Sequence, residues 1–301
     1  MSSEVGASQA AGVKRSWVAS MRTRVLSALV LIPVVIALVW GGGWWAFAGA
    51  ATVYVAGVLE LRGLVARREW PLALSVALPV GAVFLLSGMP FLASQRLTLT
   101  AIAITGSVVG VIVWIIVTQL PTQRAIAAIG MTVFAPFYLA WPLSLIILVR
   151  GDQPGYLSRG FWWLLMLLLA VWANDAAAYF TGHYLGRHQL SPTISPNKTW
   201  EGFFGGLVFT IIAVIVVSAG ADHFAAAPLH IPLLHQVVLG ALVCVVAVIG
   251  DLGESAIKRA VDAKDSGNLF PGHGGMLDRA DSLLFAIYAI FFYALALGLL
   301  K

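Results

Sequence analysis

Apolar runs of roughly 16 to 24 residues recur from one end of this sequence to the other, and they constrain its fold more than any other feature. A helix rises ~1.5 Å per residue, so such runs reach across, or nearly across, about 30 Å of hydrocarbon. They are Val25–Trp40, Trp44–Leu61, Leu72–Ser87, Leu97–Val117, Ile126–Val149, Phe161–Phe180, Phe203–Gly220, His235–Gly253 and Leu283–Leu300. Backbone groups in lipid must find their partners within the segment, so each run is expected to be a helix. The third is short, and Pro79 is expected to kink it. The predicted fold is all-α, a polytopic transmembrane helical bundle of about nine spans. Composition agrees, because 60% of the 301 residues are hydrophobic and only 10% charged. A soluble domain carries about a quarter charged residues.

Charge placement predicts the orientation. With the N-terminus cytoplasmic, nine spans put Lys14, Arg15, Arg22, Arg24, Arg62, Arg67, Arg68, Arg124, Arg187, Lys198, Lys258, Arg259, Lys264 and Arg279 inside. Only Arg96, Arg150, Arg159 and Lys301 fall outside, a split of 14 to 4 that accounts for all 18 basic residues. That asymmetry follows the positive-inside rule. Residues 1–24 read as a cytoplasmic basic tail and residues 25–301 as a single transmembrane catalytic domain. A cleaved signal peptide is disfavoured, because the first apolar run is one of many and bulky Gly43-Trp44-Trp45 precedes the weak Ala46-Phe47-Ala48 site. The net charge of +5 is scattered among apolar blocks, which speaks against nucleic acid. Cys244 is the single cysteine, so neither an intrachain disulfide nor a cysteine zinc site is available.

The densest polar chemistry is Gly250-Asp251 through Asp281-Ser282. If the eighth helix continues to about Arg259, then Asp251, Glu254, Ser255 and Lys258 fall at i, i+3, i+4 and i+7 on one face. Asp278, Asp281 and Ser282 repeat the spacing where the ninth helix begins. Carboxylates at two helix ends are hard ligands suited to Mg²⁺, which is commonly held by one or two carboxylates plus substrate phosphates. Gly272-His273-Gly274-Gly275 lets backbone N–H groups approach an anion. Any one of these charges is adequately explained as an interfacial residue. As a set in an otherwise apolar chain they mark function.

Ser255-x-x-Lys258-Arg259, Lys264-Asp265 and Pro271-x-His273-Gly274-Gly275-x-x-Asp278-Arg279-x-Asp281 together resemble the signature of the phosphatidate cytidylyltransferases, the CDP-diacylglycerol synthases. Ala280 departs from it, standing where the family usually has a larger aliphatic residue or Thr. A second stretch is similar to the family as well: Asn174-Asp175, then Ser195-Pro196-Asn197-Lys198-Thr199-Trp200-Glu201-Gly202. Lys198 offers a point charge for phosphate, and Ser195 and Thr199 offer hydroxyls. Ser195 or Asn197 is equally suited to capping a helix that starts near Thr199. Asp175 reads either as a third acid near the site or as a partner for Arg187. His183 and His188 lack a third ligand at suitable spacing and read as interfacial. Gly205-Gly206 reads as a close helix contact.

The resemblance implies transfer of a cytidylyl group from CTP to phosphatidic acid at the cytoplasmic face of the inner membrane. The attacking phosphate oxygen is already anionic near neutrality, since its second pKa is about 6, so no strong general base is needed. Asp251, Asp278, Ser255 and Lys258 are the expected catalytic residues. Asp251 and Asp278 are expected to hold Mg²⁺, with Asp281 as an outer ligand, and the many oxygens leave room for a second cation. Substrate charge falls to Asn174, Asp175, Ser195, Lys198, Thr199, Arg259, Lys264, His273, Gly274, Gly275 and Arg279. A homodimer is suggested by the resemblance and by small-residue spans. The rival readings are an ion-coupled transporter and a polyprenol kinase, separable by liposome flux and by replacing CTP with ATP.

Overall fold

The computed structural model describes residue 29, residues 31–269 and residues 274–299. The N-terminal tail, the start of the first apolar run, and His273 lie outside the described residues. Among those described, the chain runs α1 (Leu31–Gly41), α2 (Gly43–Ala66), α3 (Leu74–Ser87), α4 (Arg96–Thr118), α5 (Thr122–Ala135), α6 (Trp141–Arg150), α7 (Arg159–Leu185), α8 (Trp200–Phe224), α9 (Leu233–Ala260) and α10 (Leu277–Ala296). A 3₁₀ turn, Pro90–Gln95, leads into α4, and a π-type turn, Pro136–Ala140, joins α5 to α6.

Among the described residues, seven helical stretches are long and apolar enough to cross a membrane, while Leu31–Gly41 and Leu74–Ser87 are shorter. The third run is therefore a 14-residue helix with Pro79 inside it. At ~1.5 Å per residue such a helix is too short for the full hydrocarbon thickness. Outward-facing side chains along the bundle are apolar, as lipid demands. Leu97, Val117 and Ile126 are 86%, 75% and 84% exposed.

Contacts sort the helix ends into two groups. At one end Arg68 reaches Asp262 and the Ala260 carbonyl, Glu69 pairs with Arg124, Lys198 meets Asp251, and Arg259 meets the Ile194 carbonyl. At the other, Arg159 donates to the Ala227 carbonyl and His235 meets Tyr293. Arg150, only 1% exposed, donates there to the carbonyls of Val39, Trp40 and Gln153. The α1–α2 turn it clasps needs positive φ at Gly42 and Gly43, 64° and 41°. The basic residues named at the first end all belong to the group that sequence put on one side.

Two apolar cores share α10 and α6, the latter giving Leu145 and Val149 to one and Leu143 and Ile147 to the other. Trp163, Met166 and Leu167 of α7 pack with Val243 of α9 and with Ile287 and Ile290 of α10. Tyr54, Leu61 and Phe84 pack with Leu139, and with Leu277, Ala280 and Leu284 of α10. The Ala280 departure therefore sits in a packed apolar face, away from the acids. α10 stands between the halves, so its position depends on both. Among the described residues one element departs from an all-α fold: an antiparallel ribbon of β1 (Gln189–Ser191) and β2 (Ser195–Thr199) bridges α7 and α8.

Candidate active site

α9 extends through Ala260, so Asp251, Glu254, Ser255 and Lys258 do share one face. Gly250 lets α10 come close, because a Cβ there would lie 2.6 Å from the Asp281 carbonyl oxygen. Asp251 and Asp281 are thereby brought to one level and interact electrostatically, with Glu254 of α9 and Asp175 of α7 as further neighbouring acids. The β-ribbon carries Lys198 over this group, and its Nζ lies 2.5 Å from Asp251 Oδ2. Ser255 Oγ donates to Asp251 Oδ1 at 3.4 Å. The two polar stretches of the sequence thus meet.

Asp175 is supported from behind. Asn174 Nδ2 donates to Asp175 Oδ1 at 3.4 Å, and Cys244 Sγ donates to Asn174 Oδ1 at 3.2 Å. Gly206 leaves room for Asn174, since a Cβ would lie 2.4 Å from Asn174 Oδ1. That is the close helix contact expected of Gly205-Gly206. Asn174, 3% exposed, orients Asp175 and also borders the cavity in front of it. In front of Asp175 lies a cavity of about 290 Å³ lined by Asp175, Tyr179, Lys198, Thr199, Asp251 and Ser282 among others. Asp175 lies ten residues before the end of α7, so the cavity floor is about 15 Å below that helix end.

Asp278 has a different setting from the one expected. Its Oδ1 lies 2.5 Å from Lys258 Nζ. Its Oδ2 accepts from Ser266 N, Ser266 Oγ and Gly275 N, each at 2.8 Å. Lys258 also pairs with Glu254, and these two side chains are only 11% and 2% exposed. Glu254 has no well-directed hydrogen bond beyond that ion pair among the described residues. Both Asp278 oxygens have protein donors, and Lys258 lies between two buried carboxylates. The glycines differ as well. Gly274 has φ +78°, and a Cβ there would lie 2.5 Å from Asp278 Oδ2; one on Gly275 would lie 2.2 Å from Ser266 Oγ. The backbone closes on protein carboxylates, and the Gly275 N–H is spent on one.

The remaining expected residues lie in the ribbon and its flanks, or near the adjoining ends of α9 and α10. Thr199 caps α8, its Oγ1 accepting from Gly202 N at 3.1 Å, while Ser195 sits opposite Ser191 in the ribbon. The cap is thus neither Ser195 nor Asn197. Arg187 does not pair with Asp175; its backbone N–H, like that of His188, donates to Glu201. His188 Nδ1 lies 2.6 Å from Glu201 Oε1. Arg259 ties α9 to the ribbon and to the Ala263 carbonyl at 2.9 Å. Lys264 is exposed, and Arg279 is exposed with an electrostatic link to Asp175.

Two contributors escaped the sequence reading, Glu60 and Ser266. Glu60 accepts from the backbone N–H groups of Met276 and Leu277 at 2.8 and 3.0 Å. An acid within an apolar span is a signal in its own right. Its partners lie more than 200 residues away, beyond the reach of spacing arguments.

Among the described residues, no set of three or more His, Cys, Asp or Glu side chains forms a ready metal cage. Asp175, Asp251 and Asp281 nonetheless concentrate hard oxygen donors and repel one another. This suits a magnesium ion that takes one or two carboxylates and completes its shell with substrate phosphate. The donor set fits the ion.

Fold and site together define an integral membrane protein with a recessed polar cavity at one end of its helical bundle. The chain belongs to the cytidylyltransferase family, whose profile matches residues 22–297. A phosphatidate cytidylyltransferase of Brucella suis biovar 1 (strain 1330) is 33% identical over 276 residues, 91% of this chain and 93% of that protein. One of Bacillus subtilis (strain 168) is 38% identical over 165 residues, 54% of this chain and 57% of that protein. One of Staphylococcus epidermidis (strain ATCC 12228 / FDA PCI 1200) is 41% identical over 130 residues, 43% of this chain and 48% of that protein. Neither the transporter nor the polyprenol-kinase reading gains support from these relatives.

Proposed function

We propose that this chain transfers the cytidylyl group of CTP to phosphatidic acid, giving CDP-diacylglycerol and pyrophosphate. The observation that carries the reading is the Lys198–Asp251 contact over a cavity recessed among membrane helices. One substrate is a lipid anchored in a leaflet and the other a water-soluble polyanion, so a site open at one helix end but sunk below it suits both. The family and its named relatives point to the same chemistry.

A phosphate oxygen of the lipid attacks the α-phosphorus of CTP, the bond to the bridging oxygen breaks, and pyrophosphate leaves with the electron pair. The nucleophile is already an anion, so the protein's work is to align two like-charged partners and stabilise the charge that builds up. Lys198 supplies a cationic contact at the cavity. Ser255 holds Asp251 in orientation. Arg279, Arg259 and Lys264, near the adjoining ends of α9 and α10, offset the charge of the arriving triphosphate. Asp251 and Asp281, with Asp175 beside them, are the carboxylates that would hold Mg²⁺. Asp278 is left out of that set because its oxygens are already bonded. When bound, the ion would supply Lewis-acid stabilisation of phosphate charge. The end bearing Lys198 and Arg259 faces the cytoplasm in this reading, with phosphatidic acid drawn from the inner leaflet of the cytoplasmic membrane, in line with the positive-inside rule.

Purified protein in mixed micelles with phosphatidic acid, labelled CTP and Mg²⁺ should yield lipid-soluble label and pyrophosphate one for one. Chelator should abolish both. Absence of labelled lipid, or equal turnover with ATP on an isoprenoid alcohol, would overturn the reading.

A further inference from the structure

α10 begins without a cap of its own. Met276 occupies the N-cap position and makes no side-chain capping bond. The first N–H groups of a helix lack intrahelical partners and need others. Gly275 N is satisfied by Asp278, one turn further on. The next two donors, Met276 N and Leu277 N, go to Glu60 Oε1 and Oε2 at 2.8 and 3.0 Å. A carboxylate from another helix, α2, thus caps α10, where it also complements the positive end of the helix dipole.

The pocket around Glu60 is closely fitted. A Cβ on Gly267 would lie 2.8 Å from Glu60 Oε1, and one on Gly275 would lie 2.4 Å from Oε2. Ser266 Oγ lies 3.1 Å from Glu60 Oε2 and 2.8 Å from Asp278 Oδ2. A hydroxyl carries one proton, so Ser266 spans two carboxylates with a single donor. Lys258, on the far side of Asp278, supplies the compensating positive charge. The chain Glu60, Ser266, Asp278, Lys258, Glu254 therefore crosses from α2 to α9 through the start of α10.

We infer that Glu60 is a positioning residue of the transfer site: by capping α10 and bracing Ser266 against Asp278, it sets where Asp281 stands relative to Asp251. The link is short. Asp281 is one turn beyond Asp278, and its backbone carbonyl abuts Gly250, next to Asp251. Glu60 lines no part of the cavity and acts only through these neighbours. The inference rests on the proposed reaction for its kinetic consequence but not for its structural one.

Glu60→Gln keeps the size of the side chain but leaves one acceptor oxygen and points an amide donor at backbone N–H groups. It should lower kcat by about 10- to 100-fold, as loss of an orienting partner typically does. The KM for CTP should stay within about threefold, because nothing that touches nucleotide has been removed. Backbone hydrogen exchange at Met276 and Leu277 should quicken in the same variant, whatever reaction the protein performs. Ser266→Ala, which leaves the cap intact, should lower kcat less, and Glu60→Gln/Ser266→Ala should lose less than the sum of the two free-energy changes. A Glu60→Gln protein with a native kcat, a KM that rises as kcat falls, unchanged exchange at both amides, or additive double-variant losses would each overturn the inference. If Glu60→Gln does not fold, a native kcat in Ser266→Ala alone overturns it. Faster exchange in Glu60→Gln, alongside a native protein that makes no CDP-diacylglycerol, would uphold the cap and sink the reaction instead.

Discussion

Asp251 and Asp278 are the same residue type in the same short stretch of sequence, yet the protein treats them differently. Asp251 meets one lysine and one serine and borders a cavity. Asp278 is encircled by Lys258, both donors of Ser266 and the Gly275 N–H. An acid at a cavity wall with acidic neighbours stores unfavourable charge that a cation or substrate can relieve. An acid whose oxygens are all bonded stores nothing and instead fixes backbone. In the proposed reading the motif's carboxylates divide between chemistry and scaffold, and the division follows from what closes around each one.

The largest effect that would break this comparison is on Asp251. Asp251→Ala should cut CTP-dependent turnover by about three orders of magnitude while shifting the melting temperature little. Steady-state assays beside thermal unfolding in the same detergent check both halves. Asp278→Ala should behave in the opposite order. It leaves Lys258 with a single buried counter-charge, and loss of one partner from a buried ion pair costs about 3–5 kcal/mol. A fall in melting temperature should accompany its loss of activity, and an unaltered temperature would show Asp278 is no scaffold. Gly275→Ala should be milder, because Ser266 and Glu60 must shift to admit a Cβ. Overpacking of this kind costs about 1–3 kcal/mol, readable by chemical denaturation. Smallest of all, Thr199→Ala removes the α8 cap and should cost about 1 kcal/mol. Because Thr199 also lines the cavity, a loss of turnover beyond about tenfold would show that its hydroxyl serves substrate directly.

Much of this was legible in the sequence because membrane helices announce themselves by composition. The apolar runs anticipated the helices to within several residues, and i, i+3, i+4 spacing put Asp251, Glu254, Ser255 and Lys258 on one face of α9. The charge split anticipated which helix ends meet, as Lys198 and Asp251 do. What escaped was set by long-range packing. The β-ribbon depends on a turn between two short polar strands with no apolar alternation to betray it. The neighbours of Gly274 and Gly275 were not legible either, because a glycine pattern records close approach and does not say to what. Here the approaching groups are Asp278, Ser266 and Glu60, the last contributed by α2. That Asp278 joins Glu254 beside Lys258 is likewise a contact between two helices.

The most direct test is the location of Mn²⁺, a magnesium surrogate with an anomalous signal, in crystals grown with CTP. The account predicts a peak coordinated by Asp251, with Asp281 or Asp175 as its neighbour, and Asp278 still bound to Lys258 and Ser266. A peak on the Asp278 carboxylate, with Lys258 displaced from it, would contradict the account.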